Sequence, residues 1–452
     1  MGYGPRKLRF SFTGKNLTHF GGFFLVQHFF QRLHLRNLLA RSVRFKQRNA
    51  RYTSAESILA LLYPLLVGLG RIDASGVLKR NGVFRYLTGL QKYPDATPMR
   101  RFLVRFGTAG LVSFLKLHDA LRRRMLASQE NLILDLDTTV LTVYGRQEGA
   151  RIGYNPKKRG RPSYHPLLCF EGTTGDLWDA SYHPGNVHPG SITMDLLTRA
   201  FDKLPTSVTQ VRVRADAAFC SHKIVNFLKE RRAFFAIAVR LTPLLKARLG
   251  SLRYHHAAGD ISAAQFFYQP TGWKAPERHI VIRRPEPEEP TWQLSLFHMK
   301  GYNYQVIVTN LSLTPYHLWR FYNSRSNAEL IIRELKEAYA LGKIPTRSWP
   351  ANVAYFHLVG FAYNLLNWFK RFCLPPSYSR RSLQTIRRDL LAIPGELVYP
   401  QGFPTIRFPA SYPHLDLFAR VLDRIQRVKL PVKAITEDIR NVPRTSISLQ
   451  PA

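Results

Sequence analysis

The chain has 452 residues, of which 45% are hydrophobic and 12% are aromatic. This composition excludes an intrinsically disordered chain, and the length allows a large core and two or three domains. Lys and Arg number 66 against 29 Asp and Glu, a formal net charge of +37, which indicates a polyanionic partner such as nucleic acid.

The N-terminal region is predicted to be helical and basic. The first 55 residues contain 11 Lys or Arg and no acidic residue before Glu56. Helical periodicity starts near Phe23 and resumes at Ser54, a candidate N-cap, and three further helices are predicted over 73–80, 97–106 and 109–127. We interpret residues 1–130 as a helical basic DNA-binding domain. The alternative is a helical brace or dimerisation element with a solvated basic face.

After residue 130 the pattern changes to strands. Apolar runs predict strands over 131–144, 164–172, 177–183, 208–215 and 234–241. Helices are predicted between the last three of these strands, over 191–204 and 221–231. Antiparallel-capable strands followed by alternating helices and strands indicate a mixed α/β sheet.

A basic loop joins the first two of these strands. It runs from Tyr154 to Arg161, and its cations are Lys157, Lys158, Arg159 and Arg161. Such a loop is either a contact with a phosphate backbone or a solvated basic turn, and we favour the phosphate contact.

The alternation is lost between residues 243 and 303, which we interpret as a β-rich insertion. It contains Trp273, strands over 279–284 and 292–298, and an acidic proline-rich hairpin over 285–290. The predicted organisation is therefore a helical domain, two parts of an α/β domain around this insertion, and a C-terminal basic region, with the ranges 1–130, 131–242, 243–303, 304–372 and 373–452.

Membrane and secretory classes are not indicated. The N-terminus lacks the pattern of a cleaved signal peptide, and no lipidation signal is present. The most apolar stretch, 353–369, is interrupted by His357, Asn364 and Asn367, so it predicts a buried helix and no membrane span. The cysteines are single and far apart, which fits a reducing cytoplasm and excludes a zinc knuckle. They are Cys169, Cys220 and Cys373.

Four polar residues fall on one face of a predicted helix over 322–336. Tyr322, Arg325, Glu329 and Lys336 are spaced so that an α-helix places them within an arc of roughly 60°. A carboxylate can bind a hard metal ion, and cations beside it can bind phosphates. The alternative is a solvated face with Arg–Glu pairing. The intervening apolar residues are expected to face a core: Ala328, Leu330, Ile331, Ile332 and Leu335.

Two aspartates end predicted strands and can complete a carboxylate set with Glu329. Asp137 and Asp216 each follow an apolar run. Alone, each would cap a turn or helix, but three carboxylates on separate elements of one sheet domain can bind two Mg²⁺ ions that act on a phosphodiester. Asp135 lies on the same strand face as Asp137, and the sequence does not choose between them.

At these motifs the chain resembles the DDE-type insertion-sequence transposases with an RNase H-like catalytic domain (DDE domain of group 1). The family signature Y-(2)-R-(3)-E-(6)-K matches Tyr322, Arg325, Glu329 and Lys336 in type and spacing. The first aspartate of the family follows an apolar strand and precedes hydroxyl residues, as in 136–139. The second ends another strand, as in 214–219, and an insertion follows.

The resemblance implies an RNase H-like mixed sheet flanked by helices, with a β-rich insertion and an N-terminal all-helical domain. It implies that Asp137, Asp216 and Glu329 are catalytic and bind Mg²⁺, with Mn²⁺ as a substitute, and that Asp135 is a possible alternative ligand. The DNA-binding residues implied are Tyr322, Arg325, Lys336, the cations of the 154–161 loop, and Trp273, which would stack on a flipped base. For Trp273, filling a small hydrophobic cluster is an equal alternative.

The function implied is cut-and-paste transposition in the bacterial cytoplasm, associated with the nucleoid. The partners would be double-stranded DNA, namely the terminal inverted repeats and the target, and a second copy of the chain in a homodimer. Two alternatives stay open: an RNase H-like nuclease without strand transfer, and a non-catalytic DNA-binding protein derived from a transposase. A packaging protein that relies on charge alone would need no strand-end carboxylates.

Overall fold

The computed structural model of the protein describes residues 11–45, 51–286, 298–299, 301–432, 435 and 438–439. Within these ranges the N-terminal region is helical, as predicted. A 3₁₀ turn lies at Ile72–Ser75 and a π-helical turn at Phe106–Gly110. The α-helices are α1 (Phe23–Arg32), α2 (Leu35–Ser42), α3 (Ser54–Val67), α4 (Gly76–Arg80), α5 (Gly82–Thr88), α6 (Ala96–Arg105) and α7 (Leu111–Met125).

Helix α3 shows how the local sequence sets these boundaries. Its N-cap is Thr53, one residue before the predicted Ser54, because Thr53 forms a capping box with Glu56. The Thr53 hydroxyl accepts a hydrogen bond from the Glu56 amide at 3.1 Å, and the Glu56 carboxylate accepts one from the Thr53 amide at 3.0 Å. Gly68 ends the helix in the left-handed region at φ 91°, where glycine is favoured.

The sheet is built from strands on both sides of the insertion. The strands are β1 (Leu17–Thr18), β2 (Asn131–Thr138), β3 (Leu141–Thr142), β4 (Arg151–Ile152), β5 (Pro162–Tyr164), β6 (Leu167–Glu171), β7 (Leu177–Ser181), β8 (Gln210–Ala215), β9 (Phe234–Ala238), β10 (His255–Ala258), β11 (Ile261–Tyr268), β12 (Glu277–Pro285), β13 (His298–Met299), β14 (Tyr302–Thr309), β15 (Gly395–Val398) and β16 (Thr405–Arg407). The main sheet has the order β10-β11-β12-β14-β9-β8-β2-β6-β7, and β13 pairs with β14.

Strand directions give the sheet its RNase H-like core. β2 runs parallel to β8, and β8 runs parallel to β9, whereas β2–β6 and β6–β7 are antiparallel. The sequence predicted antiparallel-capable strands followed by alternating helices and strands, and the mixed α/β sheet inferred from that order is confirmed. The insertion forms no separate β-unit, because β10 to β12 continue the same sheet through the β12–β14 pair. The predicted strand over 292–298 lies outside the described residues, apart from His298.

The remaining helices cover the sheet and close the fold. Helices α8 and α9 pack on one face of the sheet, and α11 and α12 lie at the opposite face near the strand ends. These helices are α8 (Pro189–Asp202), α9 (His222–Glu230), α10 (Pro243–Gly250), α11 (Pro315–Asn323), α12 (Ser326–Glu337), α13 (Trp349–Cys373), α14 (Leu383–Ile386) and α15 (Leu415–Arg427).

Helix α13 is the centre of the largest core. Nearly all its residues are buried, which confirms the buried helix predicted over 353–369. It packs against α3, α6 and α7, and their side chains belong to one continuous hydrophobic cluster. The predicted boundary at residue 130 therefore does not separate two cores. Removing residues 1–130 would uncover the apolar face of α13, so we expect such a truncation to unfold the rest of the chain at least in part.

The C-terminal region packs back onto the beginning of the chain. β1 pairs with β15, and α15 contacts α1 and α13. Among the described residues, no single helix has the length and apolarity to cross a membrane. The pair Ser54–Val67 and Ile72–Arg80 has that length and apolarity only when the two segments are taken together, and the pair is bent by 98°.

Candidate active site

The register of β2 and β8 places Asp137 and Asp216 side by side. The two strands are parallel neighbours with Leu136 opposite Ala215. Asp137 follows Leu136 in β2, and Asp216 follows Ala215 directly after the end of β8. Parallel neighbours lie about 4.8 Å apart, so both aspartates are at the same end of the sheet. Asp216 also caps the turn that follows it, because its Oδ1 accepts a hydrogen bond from the Ala218 amide at 2.9 Å.

Arg325 joins the third carboxylate to this pair. Its Nη1 donates to Asp137 Oδ2 at 3.2 Å, and its Nη2 donates to Glu329 Oε1 at 3.0 Å. Asp137 and Arg325 are buried, whereas the Glu329 side chain is 60% exposed. Asp216 is also close enough to act electrostatically on Arg325. The fold therefore brings Asp137, Asp216 and Glu329 around one guanidinium.

The four signature residues do not lie on one continuous helix, and that prediction is wrong. α11 ends at Asn323 and α12 begins at Ser326, with a turn at Ser324 and Arg325. The turn lets the Arg325 side chain reach back to β2. Tyr322 is buried at the end of α11 and is no surface group. Leu330, expected in the core, is 52% exposed.

The surroundings of Asp137 perturb its ionisation. Burial raises its pKa to about 6, the Arg325 guanidinium opposes that rise, and the charges of Asp216 and Glu329 add to it. The Thr138 amide donates to Asp137 Oδ1 at 2.8 Å. The ionised form is therefore disfavoured, and a cation at this place would relieve the repulsion among the three acids.

This pKa predicts that Asp137→Asn stabilises the metal-free protein at neutral pH. Between pH 3.8, the ordinary value, and about 6, the folded chain binds more protons than the unfolded chain, so stability falls as the pH rises through this window. Asn resembles the protonated acid and escapes this penalty, which is about 2–3 kcal/mol at pH 7.5. Thermal unfolding in EDTA should show the variant above the wild type at pH 7.5, with the gap closing toward pH 4. If the difference in melting temperature between variant and wild type were the same across this pH range, the raised pKa of Asp137 would be contradicted.

The donor chemistry fits a hard divalent ion, although the side chains are not arranged around one here. Among the described residues, no three acidic, His or Cys side chains are close enough together to hold a metal ion. The guanidinium of Arg325 lies between Asp137 and Glu329 instead. All three acids offer carboxylate oxygens, the ligands that Mg²⁺ and Mn²⁺ prefer.

Lys336 and the basic loop lie close to the carboxylates. Lys336 Nζ donates to the carbonyl of Val140, three residues beyond Asp137, at 3.1 Å. Burial lowers the pKa of Lys336, the nearby charge of Lys157 lowers it further, and Asp137 opposes this. The other cations of the loop are exposed: Lys158, Arg159 and Arg161. The structure therefore places the loop's positive charge beside α12.

Asp135 has a partner that the sequence did not predict. Arg214 Nε and Nη2 donate to its two carboxylate oxygens at 2.6 and 2.7 Å, and both side chains are about 2% exposed. Arg214 also donates to the carbonyl of Phe321 at 2.7 Å, which holds the end of α11 against the sheet. The sequence held one signal for the Asp135–Arg214 pair: side chains alternate along a strand, which puts Arg214 on the same face as Asp216. Both oxygens of Asp135 are therefore occupied by an internal ion pair.

Trp273 lies at the loop between β11 and β12, near the start of α9. Its ring is half-buried, with its centroid 5.8 Å from that of His222, and it packs against the core beneath α9. The amide of Lys274 donates to His222 Nε2 at 3.2 Å, which fixes the loop to the helix that follows Asp216.

Comparison with known proteins places these features in a family. Residues 3–430 match the family model described as transposase DDE domain group 1. No protein with a curated description matches the chain. Among solved structures, the chain is similar to a piggyBac transposase in a synaptic complex with hairpin DNA, solved by cryo-EM. The identity is 12%, the match covers 93% of this chain and 85% of that one, and the TM-score is 0.46.

Proposed function

The chain belongs to the family of transposases with a DDE domain of group 1, and from this premise we propose that it binds the ends of an insertion sequence and moves it by cut-and-paste transposition. The observation that carries the proposal is the β2–β8 register, which sets Asp137 beside Asp216, together with the Arg325 bridge to Glu329. The substrate would be double-stranded DNA at the terminal inverted repeats, followed by a target duplex.

The proposed reaction has two phosphoryl transfers at one site. In the first, water attacks the phosphodiester at the 3′ end of the element, and the broken bond leaves a 3′-hydroxyl. In the second, that hydroxyl attacks a target phosphodiester, so that one P–O bond forms as another breaks. Only the nucleophile differs between the steps, and one set of residues can serve both.

We propose that Asp137, Asp216 and Glu329 hold Mg²⁺, for which Mn²⁺ would substitute. The ion would stabilise the charge that develops on the transferring phosphate. Binding it requires Asp137 to be ionised and Glu329 to exchange its contact with Arg325. The freed guanidinium could then bind a DNA phosphate, for which its planar fork is suited.

The remaining proposed contacts surround this centre. Lys336 would bind a phosphate near Val140, and the exposed loop cations Lys157, Lys158, Arg159 and Arg161 would follow the backbone beyond it. Tyr322 would support Arg325 from its buried position. Trp273 would use the exposed part of its ring on a flipped base. Two copies of the chain would bring the two ends together as a homodimer.

The experiment uses the DNA that flanks the coding region. Purified protein, Mg²⁺, a linear fragment with both flanks and a target plasmid are incubated, and the product junctions are sequenced. We expect cuts at inverted repeats and joined products bounded by a short direct duplication. Cuts at the repeats without joining would indicate a nuclease without strand transfer. Selective binding without cuts would indicate a non-catalytic derivative.

The net charge predicts a steep salt dependence of DNA binding. Each phosphate neutralised on duplex DNA should lower log K by about 0.9 per unit of log salt concentration. With a net charge of +37, we expect a slope equivalent to several phosphates. Titrations of a labelled duplex at KCl concentrations from about 50 to about 400 mM would measure this slope. A slope near zero would mean that the basic surface does not contact the backbone.

A further inference from the structure

The insertion carries an arginine beyond the carboxylate end of the sheet, and the chemistry proposed above does not use it. β14 runs antiparallel to β9, with Ile307 opposite Ala238, and β12 runs antiparallel to β14. The β12–β14 pair therefore extends past the last residue of β9, toward the same end of the sheet as Asp137 and Asp216. Arg284 lies near the end of this extension.

Strand alternation puts Arg284 on the face of the sheet that α11 covers. Ile280 and Ile282 precede it on this face, and both are buried in the core beneath α11. The Arg284 guanidinium lies over the ring of Trp319 in α11, 4.5 Å from the ring centroid. Trp319 is itself fixed, because its Nε1 donates to Gln305 Oε1 at 2.8 Å. The guanidinium is therefore held in place by a ring that the sheet positions.

The Arg284 guanidinium has donors that the described residues do not use. Its side chain is half-buried, and its Nε is buried without a hydrogen-bond partner. Within the described ranges no acidic side chain forms an ion pair with it. A buried donor without an acceptor is costly, and a guanidinium stacked on a ring still presents its N–H groups in its own plane. This planar fork matches the oxygens of a phosphate.

The charges around Arg284 favour an anion. Arg320 is exposed on α11, and Arg283 lies on the opposite face of the sheet, over two tyrosine rings. Glu286 is exposed two residues beyond Arg284 and opposes them. Among the described residues at this end of β12, three cations thus stand against one acid. A DNA phosphate would complement the excess.

The carboxylates lie between Arg284 and the cations already proposed to contact DNA. α11 packs on β9, β11 and β12, whereas α12, which carries Glu329, packs on β2. Lys336, near the end of α12, donates to the carbonyl of Val140 just beyond β2. Arg284 is therefore on the β12 side of the carboxylates, and Lys336 and the basic loop 154–161 are on the β2 side.

We propose that Arg284 binds a backbone phosphate of the DNA on the side of the scissile bond away from the basic loop 154–161, so that the duplex is held on both sides of the carboxylates. The inference rests on the proposed function, since it takes DNA as the substrate. The helical rise from Trp319 to Arg325 is about 9 Å, the length of about three base pairs. The phosphate would therefore lie within about five nucleotides of the cut.

The test neutralises the phosphates of an element-end duplex one at a time. Each labelled duplex carries a single methylphosphonate, and binding is titrated without Mg²⁺. In the wild type, neutralising one or two phosphates near the cut should weaken binding about tenfold, the effect of losing one charge-assisted contact. Arg284→Gln should bind the unmodified duplex about tenfold more weakly and be insensitive to those phosphates. Lys158→Gln should lose its sensitivity on the other side of the cut.

Two further variants serve as controls. Arg427→Gln changes an arginine that is 80% exposed on α15, and it should give the wild-type pattern of sensitive phosphates. Arg284→Lys keeps the charge and the aliphatic stem but has no planar fork. It should bind the unmodified duplex with an affinity between those of the wild type and Arg284→Gln, and it extends the scan to a variant that keeps the buried stem.

Failure of the inference is distinguishable from failure of the proposed function. If Arg284→Gln and Arg284→Lys keep the wild-type pattern, or weaken binding without changing it, Arg284 does not contact a phosphate. If the phosphates lost in Arg284→Gln lie on the same side of the cut as those lost in Lys158→Gln, the placement is overturned. If the wild type neither prefers the element end over an unrelated duplex nor cuts it, the proposed function itself is contradicted.

Discussion

Asp137→Asn, Asp216→Asn and Glu329→Gln should each reduce DNA cleavage by about a thousandfold or more, the effect of losing several kcal/mol of charge stabilisation in the transition state. The amides keep the shape of the side chains and remove the charge that would hold the metal ion. DNA binding should survive in all three, because removing a negative charge does not weaken the attraction to phosphates. Nicking of a labelled element end, with binding measured in parallel, provides the test.

The matched control is Asp423→Asn, which removes an acid from an exposed i,i+4 pair with Arg427 on α15. It should cut at the wild-type rate. Full activity in any one of the three active-site variants would remove that residue from the proposed site. Loss of binding together with cutting would show that the variant had disturbed the fold.

Asp135→Asn should destabilise the protein by about 3–5 kcal/mol, because it leaves the buried Arg214 guanidinium without its counter-charge. Burial raises the pKa of Asp135 as it does that of Asp137, but the loss of the bidentate pair with Arg214 outweighs this effect. The family resemblance implies Asp137 as the ligand and Asp135 only as a possible alternative, which predicts a milder effect of Asp135→Asn on cleavage. The bidentate pair with Arg214 makes stability the larger effect. Urea unfolding of the full chain measures it, with Asp423→Asn expected to change stability by less than about 1 kcal/mol.

A second variant separates stability from metal binding at this position. Replacing the pair together, Asp135→Leu with Arg214→Met, removes both buried charges and should recover much of the lost stability. Cleavage should recover with it, if Asp135 acts only through the ion pair. A folded Asp135→Asn protein that cannot cut would instead make Asp135 a ligand.

Several features could be predicted because they are encoded within short windows. Apolar runs ending in an acid identified β2 and β8, and the spacing from Tyr322 to Lys336 identified the region of the third acid. The resemblance to DDE transposases drawn from these motifs is confirmed by the family match. The apolar stretch 353–369, interrupted by three polar residues, identified α13 as a buried helix.

Other features depend on contacts between distant segments. The turn at Ser324 and Arg325 forms where Arg325 can reach Asp137, which no pattern of period 3.6 reveals. For the same reason Arg325 was expected at the surface but is buried, so that Arg325→Ala should also lower stability. The joining of the insertion to the main sheet depends on β12–β14 pairing.

The most direct test of the proposed metal site replaces Mg²⁺ by Fe²⁺ in the complex with DNA and adds ascorbate and peroxide, so that radicals cut the polypeptide beside the bound ion. We expect backbone cuts near Asp137, Asp216 and Glu329, suppressed by excess Mg²⁺ and absent from the variant that carries Asp137→Asn, Asp216→Asn and Glu329→Gln. Cuts at other positions, or the same cuts in that variant, would show that these carboxylates do not hold the metal.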